Sequence, residues 1–344
     1  GWIMFWQAGS GSWTDTTSNQ LVGLTIQNGN STNSSYAGGL KVDYNGGLKL
    51  DNIRFKNNVN NQTSGGALWT RSNSRVALIN VDFIGNSSSH NGSGWVSNYS
   101  YVFGRKLTFK NHTGTHDVLH VSASRGWDVS DVEITNNTST NDRVIYMNLY
   151  DLKSDAYASN WLVQNNTAGS WMIQIEDGSR DGKKMYYNNW LVVDNSTTSN
   201  HPGMNFTNTA GDYIFNHLTV CNNITSSNPS SKNNAHMWQQ YSNQTTNIIV
   251  ANSIIGSTNG YALTSEDWNS NTTISVDYTT IEGGTTKTDG GNNTTITLGS
   301  SVVSSAPYFT SVANGDYSLS AVSPLIGAGA TTATVGGVAL TAPT

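Results

Sequence analysis

Leu24-Thr25-Ile26-Gln27-Asn28 and Ile53-Arg54-Phe55-Lys56-Asn57 state the pattern on which the fold turns: apolar, any, apolar, any, Asn. It returns as Val81-Asp82-Phe83 with Asn86, Leu107-Thr108-Phe109-Lys110-Asn111, Val132-Glu133-Ile134-Thr135-Asn136 and Trp161-Leu162-Val163-Gln164-Asn165. Trp190-Leu191-Val192-Val193-Asp194 and Leu218-Thr219-Val220-Cys221-Asn222 continue it, with weaker copies at Ser253-Ile254-Ile255 and Tyr278-Thr279-Thr280-Ile281. From Leu24 to Leu218 the starts lie 25 to 29 residues apart, a period that marks a stacked repeat architecture.

Alternation within each copy is that of a strand with one buried face. A second short strand follows, as in Ala67-Leu68-Trp69-Thr70, Val118-Leu119-His120-Val121, Val144-Ile145-Tyr146-Met147, Trp171-Met172-Ile173-Gln174 and Met237-Trp238-Gln239. A unit this small cannot close a core alone, whereas stacked coils share one apolar interior. The expected fold is therefore all-β: a right-handed parallel β-helix, a single-stranded solenoid of roughly ten coils and about 50 Å in length at the usual inter-strand spacing. Residues 1–344 are expected to form this one body, a fragment of a longer chain, with 298–344 as its terminal coils. Asn at the bends tolerates left-handed backbone angles, and its amide can pair with the Asn of the coils above and below.

Composition agrees with that reading. Only 11% of the 344 residues are charged, against roughly 25% in an ordinary domain, while 11 Trp, 15 Tyr and 8 Phe supply a core. Seventeen basic residues spread thinly in a chain of net charge -5 make no cationic stripe, so nucleic acid is excluded as a partner. The single Cys221 excludes an internal disulfide. No apolar run reaches the length of about 18 residues that a transmembrane helix needs, and Gly1-Trp2-Ile3-Met4-Phe5-Trp6 lacks the basic start of a signal peptide. Asn-x-Ser/Thr triplets recur, among them at Asn61, Asn86, Asn111, Asn195 and Asn243.

Gly65-Gly66-Ala67-Leu68, Phe55-Lys56-Asn57-Asn58 and Phe83-Ile84-Gly85-Asn86 resemble the GGA(I/L/V) and FxxN repeats of polymorphic-outer-membrane-protein-type β-helices. The tail from Asn314-Gly315-Asp316-Tyr317 through Ser323-Pro324-Leu325-Ile326-Gly327 is similar to the final coils of bacterial surface proteins with right-handed parallel β-helix repeats. The resemblance implies a pectin-lyase-like solenoid at the cell surface or outside the cell. It does not choose among that superfamily's lyases, glycosidases, adhesins and phage spikes.

Chemistry-bearing residues are few. Glu176, Asp177 and Asp181 with Arg180, Lys183 and Lys184 read as a loop whose charges pair with one another. His116, Asp117 and His120 lack a third partner at metal-ligand spacing, so no metal or other cofactor is assigned, calcium being the one ion left open. Aligning the second strands puts Lys41, Trp69, His120, Tyr146 and Trp238 near one column, with Asp43, Arg71, Ser122, Asn148 and Gln174 beside them. Rings among amides and hydroxyls suit sugar binding. The glycan-binding candidates are accordingly Trp69, Arg71, His120, Tyr146, Asn148, Gln174 and Trp238, and no catalytic residue is assigned. The leading expectation is an extracellular structural or adhesive rod, contacting glycan or another surface protein and able to self-associate through open coil ends. A carbohydrate-active enzyme, first of all a polysaccharide lyase, and a phage-type receptor-binding spike follow.

Overall fold

Each repeat copy forms the second half of a bent strand. Gly47–Lys56, Arg75–Ile84, Tyr101–Lys110, Gly126–Thr135, Ala156–Gln164 and Lys184–Val193 pair in parallel and in register, coil upon coil. The bend falls on Asn52, Asn80, Lys106, Asp131, Asn160 and Asn189, whose φ lies between 51 and 59°. A second left-handed corner follows at Asn57, Gly85, Asn111, Asn136, Asn165, Asp194 and Asn222, and then a two-residue strand such as Thr138–Ser139 or Thr167–Ala168. The coil closes through a loop and a short strand: Leu68–Thr70, Trp95–Asn98, Leu119–Ser122, Ile145–Asn148 and Ile173–Glu176 are successive rungs.

This is an all-β parallel solenoid in a computed structural model that describes residues 19–342. Positions 34, 45, 177–181, 200–202, 226–234, 257–260, 267–270 and 285–287 lie outside the description, as do the side chains of 241–243. Gly1–Trp6, Asp177, Arg180, Asp181 and the side chain of Asn243 therefore fall outside it. About eight turns carry all three faces, the two-residue strands forming sheets of three and five, against the roughly ten coils expected. The last copies lack the Asn pair that makes the second corner. Beyond Thr225 the chain continues on the two larger faces, through Thr272–Asp277 and Thr294–Leu298.

Inward residues stack on their own kind. Phe55, Phe83, Phe109, Ile134, Val163, Val192 and Val220 form one column with no solvent exposure, Ile26 heading it half-buried, and Ile255 and Ile281 extend it. Ring centroids are 5.1 Å apart for Phe55–Phe83, and 4.6 Å for both Phe83–Phe109 and Trp161–Trp190, close to the strand spacing itself. Glycines sit where coils crowd: a Cβ on Gly66 would meet Ser93 O at 2.3 Å, and Gly65 combines φ 81° with Trp69 Cβ at 2.9 Å.

The paired asparagines divide the work. The first takes the left-handed corner and the second turns inward into a ladder. Asn166 is typical: its Nδ2 donates to Ile134 O at 2.8 Å and Asn195 Oδ1 at 3.0 Å, and its Oδ1 accepts from the N–H and Nδ2 of Asn137. Asn58–Asn86 and Asn195–Asn223 repeat the link, so the triplets at Asn86 and Asn195 present amides already engaged. His112 replaces Asn at one rung. Its Nε2 lies 3.0 Å from Phe83 O and its Nδ1 3.2 Å from Asn86 N, and burial lowers its pKa to about 4, so the ring is neutral.

The tail departs from expectation. Residues 309–342 add no coils: Phe309–Ser311 pairs antiparallel with Asp316–Leu319, and Thr332–Val335 with Val338–Thr341. These hairpins run back along the solenoid side, covering outward Ile214, Ile249 and Ala251 with Val335 and Leu340, and Val193 and Cys221 with Tyr317. The wall supplies a seat, its outward positions being apolar in consecutive coils there: Lys110 and Gln164 upstream give way to Val193 and Cys221. Polar links fix the seat, Asn222 Nδ2 donating to Tyr317 Oη at 3.0 Å, Tyr317 to Asp194, and Asn216 Nδ2 to Thr341 O at 3.0 Å.

Candidate functional site

Alternation along the short strands sends Leu119, Val121, Ile145, Met147, Ile173 and Ile175 into the core and the residues between them to the other face. There the register gives one column: Lys41, Trp69, Val96, His120, Tyr146, Gln174, Asn205, Trp238 and Thr264. Trp69, His120, Tyr146 and Trp238 thus align as read from the sequence. Gln174 belongs to this column rather than beside it, and Glu176 takes the flanking place next to Asn148.

These rings are not open platforms. Trp69, Tyr146 and Trp238 are 8, 9 and 3% exposed, and at Trp69 the entering loop comes close, a Cβ on Gly65 lying 2.9 Å from Trp69 Cβ. Lys41 Nζ and Arg71 Cζ lie 4.9 and 5.2 Å from the Trp69 ring centroid, and both cations pair with Asp43, at 2.8 and 3.0 Å. Burial pushes the Asp43 carboxyl up, but Lys41 and Arg71 outweigh it and leave the pKa below the ordinary value. An exposed ring lies instead on the bent-strand face: Tyr157, 43% exposed, stacks at 5.1 Å on the half-buried Tyr186.

At the middle of the column sits a cluster of ionisable groups. His120 Nδ1 meets Asp117 Oδ2 at 2.6 Å, and Arg143 Nε donates to Asp117 Oδ1 at 2.7 Å. Arg143 Nη1 also donates to Gln174 Oε1 at 2.6 Å, and Gln174 Nε2 to Glu176 Oε2 at 3.3 Å. Tyr146 lies between, its ring 4.7 Å from that of His120 and 4.2 Å from the Arg143 guanidinium carbon. Burial, with Glu176 nearby, raises the Tyr146 pKa. Asn148 Nδ2 donates to Tyr146 Oη at 3.4 Å. His116 joins at the edge, its Nδ1 3.2 Å from Asp142, whose other oxygen lies 3.5 Å from Arg143 Nη1.

Chemically, Asp117 orients the His120 imidazole through Nδ1 and leaves Nε2 as the nitrogen for proton transfer. Arg143 is the member that the sequence reading passed over. Its signal was positional: Asp142-Arg143-Val144-Ile145 aligns one coil after His116-Asp117-Val118-Leu119. Among the described residues, no three His, Cys, Asp or Glu side chains group to hold a metal, and no helix is long and apolar enough to cross a membrane. No known family, curated protein or solved structure matches this chain.

Proposed function

We propose that the chain is the rod of an extracellular surface protein, structural or adhesive in role, meeting neutral glycans or a second surface protein along its side. The observation behind this reading is continuity: the buried columns and the Asn corners run from coil to coil with the tail clamped alongside. Charge is spent locally, since Arg54–Asp82, Arg105–Asp128, Lys110–Glu133 and Arg125–Asp151 pair neighbouring coils at 2.7 to 3.1 Å. Such pairs leave little net field to recruit a charged ligand. The resemblance to surface proteins of the polymorphic outer-membrane type points the same way. A glycan-array screen followed by titration at low and high salt tests the reading. Affinity that grows with oligosaccharide length and changes little with salt is expected, and binding that collapses as salt rises would overturn it.

A second reading, a polysaccharide lyase, is favoured by one observation, the cluster at His120. Its imidazole could take the proton next to a uronate carboxyl while Tyr146 protonates the departing glycosidic oxygen. Arg143, however, is engaged by Asp117 and Gln174, and His120 is 6% exposed, so the rod remains the better account.

A further inference from the structure

Tyr44, Tyr99 and Tyr150 are 65, 48 and 42% exposed, and the fold sets them along one corner, between the short strand of a coil and its bent strand. Four successive coils share a left-handed residue there: Tyr44, Ser72, Tyr99 and Ala123, with φ between 50 and 58°. Backbone bonds hold them level. Arg71 N–H donates to Val42 O, Asn73 N–H to Tyr99 O and Tyr99 N–H to Ser122 O, at 2.9 to 3.0 Å. Rings thus alternate with small side chains. In the next coil the corner is longer and Tyr150 occupies it, its N–H donating to Asn148 Oδ1 at 3.1 Å. Two coils separate each tyrosine from the next, about 10 Å at the usual strand spacing.

Tyrosine is a costly choice at such a corner. A bulky side chain is uncommon at positive φ, and an exposed ring recovers little of that cost by burial. Asn, which tolerates the angle, holds most of the other left-handed corners. A strained and exposed residue points to a role outside the fold.

Charge beside the row is already paired. Asp43 meets Lys41 and Arg71 at 2.8 and 3.0 Å, and Asp151 meets Arg125 and Lys153 at 2.8 and 2.5 Å. Arg71 Nη2 also donates to Tyr44 Oη at 3.5 Å. The corner therefore offers phenol rings, with the half-buried side chains of Asn98, Ser122 and Asn148 beside them.

We infer that the row binds an uncharged β-1,4-linked hexopyranose chain, laid along the corner with alternate sugars on Tyr44, Tyr99 and Tyr150. In such an extended chain successive rings face opposite ways, so every second sugar presents the same face, at a repeat of about 10 Å that two strand spacings match. Ion pairs closed on themselves offer little to an acidic or basic polysaccharide. A polyproline helix has a three-residue turn of roughly 9 Å, but it docks in an aromatic-lined groove, whereas these rings stand on an outer corner. This choice of ligand rests on the neutral-glycan reading above, to which it adds linkage and face.

The full chain is titrated by calorimetry with the series from cellobiose to cellohexaose, with maltohexaose and decaproline as comparisons. Affinity should rise in steps, at the trisaccharide, which reaches a second ring, and at the pentasaccharide, which reaches a third, by roughly three- to tenfold each. Maltohexaose and decaproline should not bind. Tyr99→Asn, which keeps a residue suited to the corner, should weaken cellohexaose by about the same factor without lowering the melting temperature, and the double variant Tyr44→Asn, Tyr99→Asn should remove the steps. Cellohexaose that fails to bind, binds no better than maltohexaose or decaproline, or keeps its affinity in the double variant overturns the proposal. Neutral glycans of another linkage found on the array would then leave the rod reading standing, whereas binding of none would sink both.

Discussion

Asn165 and Asn166 are neighbours of one chemistry under opposite demands. Asn165 is exposed with φ 56°, whereas Asn166 is buried and uses both ends of its amide. Glycine at 165 relieves a left-handed residue, so Asn165→Gly should stay within about 1 kcal/mol of the parent in urea unfolding. Asn166→Ala leaves Ile134 O and the Asn137 and Asn195 groups short of partners at roughly 1–3 kcal/mol each, and a loss of at least about 3 kcal/mol is expected. Equal effects at the two positions would contradict the division of roles. Phe109, packed against Phe83 at 4.6 Å and fully buried, should cost about 3–5 kcal/mol when replaced by Ala, and a melting shift near zero would remove it from the column.

At the scale of elements, the coils were legible and the tail was not. Phe83 and Phe109 could be placed because apolar alternation recurs at a fixed period, so one correct register fixes every rung. The hairpins at 309–319 and 332–341 have no such period. Their seat was written elsewhere, in Val192-Val193, Tyr213-Ile214-Phe215 and Ile248-Ile249-Val250, where consecutive apolar residues bury both faces of a strand. The candidate site was half legible for a related reason. His120 and Asp117 are close in sequence, but Arg143 and Gln174 reach them only through coil stacking. Trp69, Tyr146 and Trp238 stand in the column read for them, while their burial is not something that alternation along a strand describes. Cys221 reports on the tail directly: its thiol is buried beneath Tyr317, and burial, with Glu282 and Asp194 nearby, pushes its pKa up to about 12. In the full chain it should resist a thiol reagent at pH 8. Removal of residues 305–344 should make it react and should expose Ile214 and Ile249 to a hydrophobic dye. Rapid labelling of the full chain would show that the tail does not cover the wall.

Stability of the whole molecule should depend on its buried imidazoles. His112 and His236 both have pKa values lowered to about 4 by burial, from 6.5. The unfolded chain therefore binds protons first as pH falls, and stability that is complete above pH 6.5 declines toward pH 4, by roughly 3 kcal/mol for each group. His112→Asn should flatten that decline; an unchanged slope in urea unfolding between pH 6.5 and 4 would mean that His112 is not held neutral. The largest claim is that the molecule acts as a rod rather than by chemistry at His120. Incubation of the full chain with pectate, alginate and related acidic polysaccharides, with and without calcium, measures this most directly through unsaturated products and new reducing ends. The account predicts neither, and turnover abolished by His120→Ala would contradict it.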